Sequence, residues 1–264
     1  MNEFDFPRLS IGGLPIAVVD RPTSAQRMVE AALARRGSAA PPLVVTSANG
    51  QVISWCARDP DLRALFLSAD LIHADGAPLV FASRLKSRTP LPERVATTDL
   101  FHDVARVAER CGASFYFLGA APDVVALAVR NVRRAYPDLN IAGFRHGYFA
   151  GREEQVVAEI NDCGPDILWV GMGVPNEQMF SLAWRARLAN VGLIKTSGGL
   201  FDFLSGRKSR APQWMRSAGL EWLYRVALEP RRLLGRYLAT NPHALYLLLA
   251  DSGLAWTQAP RDRS

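Results

Sequence analysis

Between residues 114 and 196 one pattern repeats: a short apolar run, a turn built from Gly and Pro, then apolar residues at helical spacing. Residues 114–118, 139–144, 166–172 and 191–196 read as buried strands. Val125, Ala128, Val129 and Val132 stripe one helix between them, Val156, Val157 and Ile160 a second, and residues 175–188 form a third. Strands that return through a helix pair in parallel, with helices on both faces of the sheet. The expected fold class is therefore α/β: a Rossmann-like, doubly wound, mainly parallel sheet. No internal repeat or low-complexity tract competes with this reading.

The first half extends the same logic. Residues 9–20 read as a short strand pair around Gly12-Gly13, and Thr23 or Ser24 can cap a helix that runs to about Arg36 before Gly37. Leu43-Val44-Val45 is a buried-strand run that ends in Thr46-Ser47-Ala48-Asn49-Gly50, and two short helices follow. Another apolar run then reaches Asp75, Gly76 and Pro78, after which Ala77, Val80, Phe81 and Leu85 recur at helical spacing. Asp75 thus sits where a strand hands over to a helix. Ligands of open α/β sheets bind outside the carboxyl ends of strands, so this carboxylate faces the expected site. The competing reading is a helix cap that closes a turn with Gly76. Residues 86–98, with Pro90 and Pro92, lack periodicity and read as a loop before a helix that carries Phe101, Val104, Ala105 and Ala108.

Composition narrows the class. A chain of 264 residues that is 49% hydrophobic can bury one large core, and 21% charged residues are too few for a disordered chain or a coiled coil. Cys56, Cys111 and Cys163 are widely spaced and form no CxxC pair, so neither a disulfide framework nor a zinc site is expected and a reducing cytoplasm suits the chain. The first ten residues carry acidic side chains without an apolar core of signal-peptide length. No run approaches the ~20 apolar residues that span a bilayer. The net charge of +6 is concentrated: eight basic residues against two acidic ones lie between Arg207 and Arg236.

Several turns could meet a phosphorylated ligand. FYFLGAAPDVV puts Gly119 between strand and helix, with helix amides free for an anion, but it is not GxGxxG and no acidic residue follows at ribose distance. A dinucleotide oxidoreductase, the runner-up from the sheet alone, is disfavoured on that ground. In VGMGVPNEQ, Gly171 and Gly173 allow close backbone approach, while Glu177 and Gln178 fall in the first turn of the next helix. There they could bind sugar hydroxyls, or Glu177 could simply oppose the helix dipole. After Gly198-Gly199 the pattern breaks into a basic loop and amphipathic helices, with Trp214, Trp222, Tyr224 and Tyr237 among the cations. That combination suits a membrane surface; a helical hairpin packed on its own domain and a nucleic-acid contact are the alternatives. The expected division is a catalytic core of residues 1–204 and a basic, aromatic-rich helical appendage of residues 205–264.

Taken together, these stretches resemble the WecG/TagA/CpsF glycosyltransferases (glycosyltransferase family 26) of bacterial surface-polymer synthesis. The resemblance is carried by VVTSAN, ADLIHADG, PERV with Asp99-Leu100, FYFLGAAP through YPDLNIAGFRHGYF, PDILWVGMGVPNEQ, GGLFDFLSG, RAPQW and GLEWLYRVALEPRRLLGRYL. It covers nearly the whole chain in order. Departures are Ser47 where the family usually has Thr, Ala96-Thr97 where it has Gly after ERV, and Asn176-Glu177-Gln178 where it reads Lys-Gln-Glu. The last leaves open which of Glu177 and Gln178 takes the family's Gln role.

The resemblance implies an inverting transferase, peripheral on the cytoplasmic face of the plasma membrane. It would move a sugar from a UDP-sugar to a polyprenyl-diphosphate-linked sugar in surface or exopolysaccharide synthesis. N-acetylmannosamine, its uronic acid and glucose are the donor sugars it suggests. Asp75 matches the family's general base, and Thr46 or Ser47 with Asn49 would line the same pocket. With no DxD-type motif, no metal or other cofactor is expected. Arg210, Arg225, Arg231, Arg232 and Arg236 are then the candidates to neutralise the leaving diphosphate. The expected partners are the two substrates and an anionic membrane rather than nucleic acid, with a homo-oligomer left open.

Overall fold

The computed structural model describes residues 4–217 and 219–255, except for the side chains of Ser217, Arg232, Arg236 and residues 253–255. Strands β1 (Arg8–Ile11) and β2 (Leu14–Ala17) form an antiparallel hairpin whose turn glycines, Gly12 and Gly13, hold φ of 55° and 76°. Helix α1 (Arg21–Ala34) is capped by Asp20, three residues before the first expected cap, Thr23, whose N–H it accepts at 2.7 Å. Next come β3 (Leu43–Ala48), α2 (Gly50–Cys56), α3 (Pro60–Leu67) and β4 (Leu71–Ala74). Helices α4 (Ala77–Lys86) and α5 (Thr97–Cys111) flank the expected loop. The alternating half supplies β5 (Ser114–Gly119), α6 (Pro122–Ala135), β6 (Asn140–Arg145), α7 (Glu153–Cys163), β7 (Ile167–Gly171) and α8 (Asn176–Trp184). A 3-10 turn (Arg185–Arg187) leads to β8 (Leu193–Thr196) and α9 (Leu200–Leu204).

Strands β3 to β8 make one sheet in the order β4-β3-β8-β7-β5-β6, with every neighbour parallel. The doubly wound fold read from the alternation is the fold of the protein. Strand periodicity divides the core in two. Val45, Leu71, Phe115, Phe117, Trp169 and Leu193 meet α1, α5, α6 and α9 on one face. Val44, Ile72, Tyr116, Leu118, Leu168 and Ile194 meet the other helices on the opposite face. From β3 the chain moves outward to β4, whereas β8 arrives from the β7 side. The crevice at their carboxyl ends is the expected ligand position of such a sheet.

The segment after residue 204 is helical, as its amphipathic spacing implies, with α10 (Gln213–Ser217), α11 (Glu221–Leu228) and α12 (Pro230–Ala250). Helix α12 runs through Pro242 without a break. The tail lies on the core. Helix α12 packs along α2 and α4, burying Leu233, Ala244 and Leu248, and β9 (Ser252–Ala255) joins β1 antiparallel. Among the described residues no helix is long and apolar enough to cross a membrane.

At the amino-terminal end of the sheet Asp166 ties three elements together. Its carboxylate accepts the Ser114 N–H at 2.6 Å and hydroxyl at 2.8 Å, and pairs side-on with Arg36 Nε at 2.6 Å and Nη2 at 2.8 Å. Burial alone would raise this carboxyl, but Arg36 and the Ser114 donors outweigh it and hold it below the ordinary range. A depressed carboxyl stabilises the fold above its unfolded value and loses that contribution as pH falls through the folded value. Asp166→Asn should therefore lower the stability measured by urea unfolding at pH 7 by about 2 kcal/mol. The gap to the wild type should narrow as pH falls below about 4.

Candidate active site

A cavity of about 650 Å³ opens at the carboxyl ends of β3, β4, β7 and β8, roofed by α11 and α12. Asp75 enters it from the end of β4, held by its own N–H on Ala48 O at 2.8 Å. The backbone N–H and hydroxyl of Thr97, at the start of α5, donate to its carboxylate. Burial pushes the Asp75 carboxyl above its ordinary range, against the opposing pull of Arg94, Lys195 and Thr97. Gly76, not Asp75, is the N-cap of α4, and no side-chain cap bond forms there. The turn leaves the carboxylate free to face the cavity.

Behind Asp75 lies a buried polar floor, sorted by strand periodicity. On the face under α8, Thr46 Oγ1 receives the Gln178 amide at 3.2 Å and the Thr196 hydroxyl at 2.8 Å. The other face places Lys195 Nζ 3.0 Å from Ser47 Oγ, which lies 3.1 Å from Thr97 Oγ1. Lys195 is fully buried, and burial pulls its ammonium down to about 8, with Asp75 and Glu177 acting in the opposite sense. Beyond it, His73 meets Ser24 Oγ at 2.7 Å, and burial, reinforced by Lys195, holds the imidazole well below its ordinary range.

Glu177 performs a different task. Its buried carboxylate accepts the Gly198 N–H at 2.8 Å, the Gly173 N–H at 3.1 Å and the Met172 N–H at 3.3 Å. It therefore clamps the loops after β7 and β8 together. Burial raises it, and these donors with Lys195 offset part of that rise. Asn49 likewise spends its side chain on structure, capping α2 by accepting the Val52 N–H at 3.1 Å while still lining the cavity.

The cations come from both core and tail. Asp99, two residues beyond Thr97, pairs with Arg210 at 3.1 Å, Arg216 at 3.3 Å, Arg94 at 3.5 Å and Arg21 at 3.9 Å. Glu221 on α11 takes Arg94 at 2.9 Å and Arg210 at 3.0 Å. Arg94 and Arg225 reach the cavity wall. Arg210 and Arg225 each sit 5.9 Å from the Phe203 ring centroid, while Lys208 pairs with Asp202 at 2.9 Å.

Of the residues singled out in the sequence, the structure brings Ser47, Asn49, Gly173, Glu177 and Arg225 to the cavity beside Asp75. Thr46 and Gln178 lie directly beneath it. Gly119 and Gly171 serve strand packing: a Cβ on Gly119 would fall 2.2 Å from Gly171 O, and one on Gly171 would fall 2.9 Å from the Phe201 ring. Arg210 is engaged by Asp99 and Glu221, Arg231 is exposed, and the side chains of Arg232 and Arg236 lie outside the described residues. Sequence reasoning missed Arg94, Thr97 and Lys195. The first two fall within the expected aperiodic loop of residues 86–98, although Thr97 opens α5. Lys195, a charge inside the apolar run of β8, was the legible signal.

A carboxylate with two donors behind it and arginines around it, in the crevice of a parallel sheet, defines an α/β enzyme equipped for an anionic substrate. The model of the glycosyl transferase WecG/TagA/CpsF family matches residues 9–257. A Bacillus spizizenii protein named N-acetylglucosaminyldiphosphoundecaprenol N-acetyl-beta-D-mannosaminyltransferase is 34% identical over 191 residues, 71% of this chain and 72% of its own. A Bacillus subtilis protein of the same name is 32% identical over 208 residues, 78% of each chain. The chain belongs to this family, and it is a glycosyltransferase.

Asp99 is the joint between tail and core. Asp99→Asn removes the anion that four guanidiniums share, leaving Arg94 and Arg210 with Glu221 and Arg21 with Asp103, and should cost about 2–3 kcal/mol. Amide exchange in residues 205–228 should accelerate more than exchange in β5 and β7. Equal acceleration everywhere would show that the joint is not local.

Proposed function

We propose that this enzyme transfers a sugar, with inversion, from a UDP-sugar to a sugar carried on a polyprenyl diphosphate. Asp75 acts as the general base. The observation that carries the reading is the Asp75 carboxylate in the cavity, with Thr97 donating from behind and Arg94 and Arg225 on the wall. An acceptor hydroxyl attacks the anomeric carbon as its proton passes to Asp75; the bond to the UDP oxygen breaks, and the electron pair leaves with UDP. Arg225 and Arg94 lie where they could offset the diphosphate charge that grows in this step. No metal or other cofactor enters this scheme. N-acetylmannosamine is the donor sugar to try first, on the names of the two relatives, with its uronic acid and glucose as alternatives.

Exposed Phe81 and Leu85 on α4, Trp214 on α10, and Leu238, Leu245 and Tyr246 on α12 support a peripheral seat on an anionic membrane, inferred to be the cytoplasmic face of the plasma membrane. Cations Arg84 and Lys86 share α4 with these apolar side chains. Such a seat would bring the lipid-linked acceptor to the cavity, and a homo-oligomer is compatible with it.

UDP release with a lipid-linked monosaccharide acceptor, in excess EDTA, tests the scheme. Wild-type turnover should survive the chelator. Asp75→Asn should retain the fold and UDP-sugar binding while turnover falls at least ~100-fold. Near-normal turnover in folded Asp75→Asn removes the base assignment. Loss in EDTA with recovery on Mg²⁺ or Mn²⁺ removes the metal-free scheme.

A further inference from the structure

The lysine behind Asp75 is fully buried and does not line the cavity, yet a chain of hydrogen bonds joins it to Asp75. Lys195 Nζ reaches Ser47 Oγ at 3.0 Å and its remaining close partner, Thr196 O, at 2.7 Å. Ser47 Oγ meets Thr97 Oγ1 at 3.1 Å, and the Thr97 hydroxyl meets the Asp75 carboxylate. An ammonium donates and cannot accept, so Ser47 must receive at its first contact. At the other end the ionised Asp75 carboxylate only accepts, so the single Thr97 proton goes to Asp75 and the single Ser47 proton to Thr97.

We propose that Lys195 is a positioning residue: it sets the direction of the Ser47–Thr97 hydrogen bonds so that both Thr97 donors, N–H and O–H, fall on the Asp75 carboxylate. With these donors behind it, the carboxylate keeps its other lone pairs for the incoming hydroxyl and stays ionised. An apolar residue at position 195 takes away the donor that occupies one Ser47 lone pair and polarises its O–H toward Thr97. Ser47 can then accept from Thr97, and Asp75 loses a donor. This inference rests on Asp75 being the base and extends that reading to how the base is held.

The charged or titratable groups that act on the pair are Arg94 before α5, Glu177 on α8 and His73 on β4, and Arg225, Glu221, Lys208 and Asp202 share the cavity wall with Asp75. They remain in every variant used below, so changes in the pH profile isolate Lys195 and Thr97. The sign follows from the charges. Removing the cation, or the hydroxyl donor, makes ionised Asp75 harder to form, so the acid limb of kcat/KM moves to higher pH.

The test measures kcat/KM against pH for Lys195→Met, Thr97→Val, their double variant and the conservative Thr97→Ser. Lys195→Met and Thr97→Val should each move the acid limb upward by about one pH unit, a tenfold loss on its acid side. KM for the donor should change little. The double variant should move no further than the larger single shift, because both changes break one chain, and Thr97→Ser should track the wild type. An unmoved limb in Thr97→Val overturns the proposal even where Lys195→Met fails to fold. Additive shifts also overturn it, since they mean Lys195 acts on Asp75 only through space. An inactive Asp75→Asn alongside an unmoved limb refutes the hydrogen-bond chain alone, whereas an active Asp75→Asn refutes the base itself.

Discussion

The anion at Asp99 holds this architecture together. Arg21 and Arg94 from the core and Arg210 and Arg216 from the tail converge on it, and Glu221 binds two of the same guanidiniums from the other side. Five side chains from separate parts of the chain are thereby locked beside the first turn of α5, where Thr97 meets Asp75. A carboxylate shared among arginines leaves net positive charge, and that surplus borders the cavity. The tail's cations thus do two things at once. Arg210 and Arg216 fasten the roof, while Arg225 faces the space beneath it.

The floor of the cavity obeys a simpler rule. Alternate residues on β3 and β8 go to opposite faces, so Thr46 and Thr196 form one polar contact under α8 while Ser47 and Lys195 form another near α5. A charge at position 195 is costly to bury, and its neighbours Asp75 and Glu177 keep it from being isolated. The same cation acts on Glu177, whose bonds to three backbone N–H groups fix the loops after β7 and β8. Asp75, Lys195 and the Glu177 loop clamp therefore form one electrostatic unit.

Much of this was legible in the sequence, for identifiable reasons. Alternating strands and helices produce their own periodicity, so the sheet and the position of Asp75 at a strand end followed from local pattern. Gly173 and Glu177 were legible because strand-end turns carry recognisable residues, whereas Asn49 followed from the family resemblance. What sequence concealed depends on distance along the chain. Nothing local says that Asp99 binds Arg210 or that Ser47 touches Lys195, 148 positions away. Gly119 shows the opposite failure: a turn glycine resembles a phosphate loop, yet it is required by the close approach of β5 to β7.

These features converge on a single claim, that a nucleotide-sugar binds under the tail helices with its reacting carbon toward Asp75. The most direct measurement is the structure of the enzyme with UDP bound. The account predicts the diphosphate against Arg225 and Arg94, with the uridine beneath α11 and α12 and an open path from the terminal phosphate to Asp75. UDP seated instead at the β5–α6 turn around Gly119, remote from Asp75, would contradict it.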